Sequence, residues 1–168
     1  MPIYLLAQNN MSKEAIQERY ERNIKKERLY GVYIPSDMEE AFEELRALAR
    51  PEDLNNFSSA PEDSVVVRLH FGLGRWIDHN WNLHEGSRFS HWLKQRGLTF
   101  PDDMVHVVIR SFHRHLNNKE IGLDEQIKNL ILIREKAFQE RQKKAKVETL
   151  NKEELDEKTL EKLKKEKE

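Results

Sequence analysis

Apolar residues in this chain are concentrated in one stretch, from about Tyr30 to Phe138. Charged residues make up 35% of its 168 positions and the hydrophobic set only 38%, so a packed core has to form inside that stretch. A chain of this length supports one ordinary domain plus an appendage. The pattern therefore divides into an N-terminal segment over 1–30, a core domain over 31–138 and a charged tail over 139–168.

Within the core stretch the apolar residues recur at helical spacing, and the predicted class is all-α: a compact multi-helix domain with a short extended N-terminal arm and a long charged C-terminal helical tail. A solvated helix is expected over Ser12–Leu29, with a thin stripe of Ala15, Ile16, Tyr20 and Ile24. Gly31 closes it and Pro35 biases Ile34 toward extended geometry, which makes 31–35 a linker or arm. Ser36 with Glu39 has the form of a capping box, opening a helix from Asp37 to about Ala49. Pro51 opens a short helix ending near Phe57, and Ala60-Pro61 opens a long buried one running to about Trp81. A loop over Asn82–Gly86 follows, then a helix from Ser87 to Gln95 stopped at Gly97, and another from Pro101 to Leu116. The last begins near Asp124. Past Gln139 there are 10 basic and 9 acidic side chains, and Leu150, Leu155, Leu160 and Leu163 keep no steady heptad, so a free-standing charged helix or a frayed, disordered tail is expected rather than a coiled coil.

Several function classes are disfavoured by composition. With 29 Lys+Arg against 30 Asp+Glu, the chain lacks the basic excess of a nucleic-acid binder. It has no cysteine, which removes disulfides, a thiol nucleophile and thiolate metal sites. No run approaches the roughly 18 apolar residues of a membrane span. The start, Met1–Gln8, admits two readings: an ordinary terminus of a cytoplasmic protein, or the remnant of a signal peptide on an exported one, since Ile3-Tyr4-Leu5-Leu6-Ala7 resembles the end of a secretory apolar region. Charge is also segregated. Residues 36–63 hold nine acids against two arginines and 68–115 hold seven basic residues against four acids, which fits either docking of the two groups or a solvated acidic face.

All seven histidines and all three tryptophans fall between positions 70 and 115. Histidine is the commonest general base, so an enzyme reading takes His70, His91 or His113 as the base, with Arg88 or Arg110 holding an anionic substrate. It requires a concave pocket with shifted histidines. No metal site is expected, because His113 and His115 lie about 200° apart on a helix and no zinc-type spacing occurs. No cofactor is expected either; Gly72-Leu73-Gly74 lacks the third glycine of a phosphate loop and reads as close helix packing. The preferred reading is a binding or interaction module for a protein or small-molecule partner. Arg75, Asn80, Trp81, Arg88 and Trp92 around the loop at 82–87 form the candidate surface, because arginine and tryptophan are enriched at binding hot spots.

Gly31–Pro35, His70–Ile77, Asn80–Leu83, Gly86-Ser87-Arg88, Pro101–Met104, His113-Arg114 and Leu116-Asn117 together resemble a bacterial domain family of unknown function, family 6794. The resemblance covers about residues 31–128. It implies a compact domain whose members often follow an export signal, and it supplies no activity. The chain departs from the family pattern at Asp78-His79 and at His84-Glu85-Gly86.

Overall fold

The computed structural model describes residues 12–165, so the segment Met1–Gln8 lies outside the described residues. They form helices and a single two-stranded hairpin. In chain order these are α1 (Lys13–Asn23), β1 (Arg28–Leu29), β2 (Val32–Tyr33), α2 (Met38–Leu48), α3 (Pro51–Ser59), α4 (Glu62–Leu69), a π-helical turn (His70–Gly74), α5 (Arg75–Asn80), α6 (Arg88–Lys94), α7 (Pro101–Leu116) and α8 (Leu123–Lys165). Two units result, one ending at Ile127 and one beginning at Lys128. The second is the remainder of α8, a helix that continues to Lys165. Among the described residues no helix is long and apolar enough to cross a membrane.

In the first unit α7 is the hub. Met104, Val105, Val107, Val108, Ile109 and Phe112 are all buried and form a broad apolar face, while Asp103, His106, Arg110 and Arg114 lie on the opposite side. A face that broad is not covered by one neighbour, and α2, α3, α4, the π turn, α5 and α6 all pack on α7. Gln126, in the first turns of α8, closes the unit by donating to Ser111 Oγ at 3.1 Å and to the Ile121 carbonyl at 2.7 Å. Ile127 is the last buried apolar residue described.

Three local features differ from the sequence reading. The helix expected to Leu29 stops at Asn23, and the linker or extended arm expected at 31–35 contains the second strand, Val32–Tyr33, of a hairpin pairing Arg28 with Tyr33 and Leu29 with Val32. Its two loop residues both have positive φ, Tyr30 at 51° and Gly31 at 84°, as a type I′ turn requires. The cap of α2 is shifted by one residue. Asp37 Oδ1 accepts from Glu40 N at 3.0 Å, while Glu40 Oε2 accepts from Ser36 N at 2.8 Å. Glu40 rather than Glu39 faces inward because Tyr33 and Arg88 also bind it.

The long helix expected over 61–81 is interrupted. Its backbone widens into one π turn over His70–Gly74 and resumes as α5. A methyl at Gly74 would lie 2.7 Å from Val105 Cγ1, so this glycine permits the close approach to α7, whereas Gly72 has open space around it. The packing role expected of both glycines holds for Gly74 alone. Gly74→Ala is expected to lower stability by about 1–3 kcal/mol through overpacking. Thermal denaturation should show that adding Val105→Ala recovers part of the loss, and additive single effects would disprove the contact.

Candidate functional site

Each sequence-nominated residue has a definite place, and they do not converge. Arg75 is exposed on α5. Asn80 donates its amide to the Trp76 carbonyl at 2.9 Å. Trp81 is fully buried, edge-on to Phe89 at 5.2 Å, and its indole N–H meets no hydrogen-bond acceptor among the described residues. Trp92 is half-buried, parallel to Phe89, with the Arg96 guanidinium 3.5 Å above its ring. Trp81 therefore offers no surface to a ligand.

Arg88 is committed to the fold. Helix α6 begins with Ser87 and Ser90 capping each other, which fixes Arg88 at its first position. From there its Nε donates to the Ile34 carbonyl at 2.6 Å, its Nη2 reaches Glu40 at 3.3 Å, and its guanidinium lies over the Tyr33 ring at 4.9 Å. One side chain thus ties the hairpin, the cap of α2 and α6 together. Charge-assisted bonds to partly buried partners are each worth about 1.5–3 kcal/mol. Arg88→Ala is expected to lose about 2 kcal/mol of stability, and Arg88→Lys to recover little of it because lysine lacks the fork; urea unfolding curves measure both.

The histidines are engaged separately. His70 lies 3.8 Å from Asp102, His91 Nδ1 is 2.8 Å from the Tyr20 hydroxyl, and buried His113 places Nε2 2.9 Å from the Ala60 carbonyl. None of the three lines either cleft described below. Among the described residues no group of three or more His, Asp or Glu side chains is arranged to hold a metal.

The strongest electrostatic feature is Glu62, at the start of α4. It receives Arg114 at 3.0 Å and Arg110 at 3.1 Å, and His113 Nδ1 lies 4.0 Å away. Burial raises the pKa of this carboxyl, but the hydrogen bonds and charge of Arg114, followed by Arg110 and His113, outweigh it and hold the net value below normal. Segregated charge along the chain thus becomes docking through Glu62. His106, on the same helix as Arg110, is pushed below the usual histidine value, first by burial and then by the Arg110 charge.

Both shifts make stability fall with acid, in separate windows. The unfolded chain takes up the His106 proton first, so stability drains as pH drops through about 6.5, the unfolded histidine value. Protonating Glu62 removes a second contribution as pH falls through about 4.5 and below, toward its folded value. Unfolding free energy measured against pH should show both steps; His106→Asn removes the upper one and Glu62→Gln the lower.

Among the described residues, two clefts offer a place for a ligand. The larger, of about 600 Å³, opens among α2, α3, α4, the π turn, α5 and α7. Leu45, Leu48, Leu54, Phe57, Val65, Leu69, Leu73, Trp76 and Phe112 make its wall, and Asp53, Asn56 and Arg68 supply polar groups. It exists because α2 ends at Leu48 and Pro51 starts α3 at once, and α3 buries only Phe57. Leu48 is left 58% exposed. Asp53 is occupied by Arg50, through bonds of 2.8 and 3.0 Å, whereas no carboxylate among the described residues pairs with Arg68. The sequence reading missed Arg68, whose signal was a lone charge inside the apolar run Val65–Leu69. The second cleft, of about 540 Å³, lies between the hairpin tip and the residues from Asp78 to Glu85.

Residues 34–116 match the family model described as Domain of unknown function (DUF6794). This segment of the chain belongs to that family. The DUF6794 segment starts at Ile34, whose carbonyl holds Arg88, and ends at the last residue of α7. Every residue lining the larger cleft falls inside it, while Leu29, Tyr30 and Val32 of the second cleft precede it. No curated protein and no solved structure matches the chain.

Proposed function

We propose that this protein is a binding module whose larger cleft takes an amphipathic anion, an apolar chain ending in a carboxylate. The observation that carries this reading is Arg68, an exposed guanidinium without an acid partner among the described residues, on the wall of a mostly apolar cleft whose one carboxylate, Asp53, is held by Arg50. A cleft of about 600 Å³ lies within the roughly 300–1,000 Å³ range of small-molecule sites, and apolar walls with a few fixed polar groups are their usual make-up. Apolar burial at about 0.8 kcal/mol per methylene supplies most of the affinity, and the arginine orients the head group.

The π turn fits this role. Such turns recur at functional sites because the extra residue shifts which side chains face inward. Here it carries Leu73 onto the cleft wall while Gly74 seats against α7. The catalytic alternative finds no comparable support, since His70, His91 and His113 stand outside both clefts.

Titration calorimetry with dodecanoate and with dodecanol tests the reading. Dodecanoate is expected to bind, Arg68→Ala to weaken it about fivefold, and dodecanol affinity to be unchanged by that substitution, because an exposed charge contact is worth about 1 kcal/mol. Leu48→Asp, at an exposed wall position, should weaken both ligands. Failure of the unmodified protein to bind either, or indifference of both to Leu48→Asp, refutes the site.

A further inference from the structure

We propose that the second cleft, between the hairpin tip and the Asp78–Glu85 segment, binds a cationic group, an ammonium or guanidinium, against the ring of Tyr30. The proposal is independent of the apolar cleft.

Tyr30 is the first indication. It occupies the first loop position of the hairpin at φ 51° and is 82% exposed. A type I′ turn normally places Asn, Asp or Gly there, since a bulky residue in left-handed geometry costs on the order of 1 kcal/mol. No burial of the ring offsets that cost. A strained, exposed aromatic at the edge of a cleft is explained by what the ring contacts outside the fold.

The chemistry of the remaining wall is the second indication. Asn80 spends one amide N–H on the Trp76 carbonyl and Asn82 one on that of Gly86 at 3.0 Å, so each amide keeps its oxygen and its second N–H. Asp78 and Glu85 add carboxylates, and neither lysine nor arginine lines the cleft. Asp78 binds His84 Nε2 at 2.9 Å through one oxygen, while the other is buried without a hydrogen-bond partner among the described residues. Glu85 is held at 3.4 Å by Arg19, a partly exposed pair of small worth.

The wall thus carries two carboxylates among neutral amides and histidines, with an aromatic face beside them. An ammonium or guanidinium only donates, and it is drawn both to carboxylates and to the face of a tyrosine ring. A neutral polyol makes no use of the charge of the two carboxylates. Cation recognition is the better match, and volume permits it: about 540 Å³ accommodates a basic side chain or a small polyamine.

The test is a ¹H–¹⁵N NMR titration of the full chain with agmatine at low salt, with methyl α-glucoside as the second probe. Agmatine is expected to give saturable shifts at Tyr30, Gly31, Asn80 and Asn82, weakening as salt is raised. Tyr30→Asn, which relieves the turn, should keep or raise the melting temperature while cutting agmatine affinity about fivefold; Tyr30→Phe should retain it. Glu85→Gln should weaken binding several-fold. The proposal is overturned if the agmatine shifts fall on the acidic helices α2 and α3 instead, if folded Tyr30→Asn binds as well as the parent, or if glucoside saturates these residues and agmatine does not.

Discussion

Burial of the broad apolar face of α7 is the constraint on which the rest of the first unit depends. With Met104, Val105, Val107, Val108, Ile109 and Phe112 all shielded, that face needs several neighbours, and no single one covers it. The chain answers with several short helices arranged around it. Short helices cannot meet everywhere, and the apolar cleft is the gap left where α2 stops, α3 turns away and α4 widens into its π turn. The candidate binding surface and the core are therefore two consequences of one packing problem.

Polar side chains decide which neighbours sit where. Glu62 draws Arg110 and Arg114 of α7 onto the start of α4, and Arg88 binds the Ile34 carbonyl, Glu40 and the face of Tyr33 at once. These contacts are few, but each joins segments distant in sequence, where non-directional apolar burial alone would permit sliding. Two of the arginines that sequence composition marks as ligand-binding, Arg88 and Arg110, are spent in this way. Arg68, without a partner among the described residues, is the one left facing a cleft.

The two clefts differ in chemistry and in their relation to the family. The apolar one is built wholly from residues 34–116, so its walls belong to the DUF6794 domain itself. The polar one borrows Leu29, Tyr30 and Val32 from the hairpin ahead of that segment. Their charged residues also differ in sign, Arg68 on the wall of one and Asp78 with Glu85 on the wall of the other.

The sequence by itself determined the helical class, the positions of α2, α3, α6 and α7 within a residue or two, and the resemblance to this domain family. Those features are local: proline at a first turn, serine or aspartate at a cap, and apolar residues at intervals of three and four are written in short windows. Only the tertiary structure decided what the polar residues do. Whether an arginine is free or bonded depends on partners far along the chain, as with Arg88 and Ile34, and whether an aromatic is platform or core depends on its neighbours, as with exposed Tyr30 and buried Trp81. The hairpin, the π turn and both clefts were hidden for the same reason: each arises from contacts between segments, which spacing within a segment does not encode.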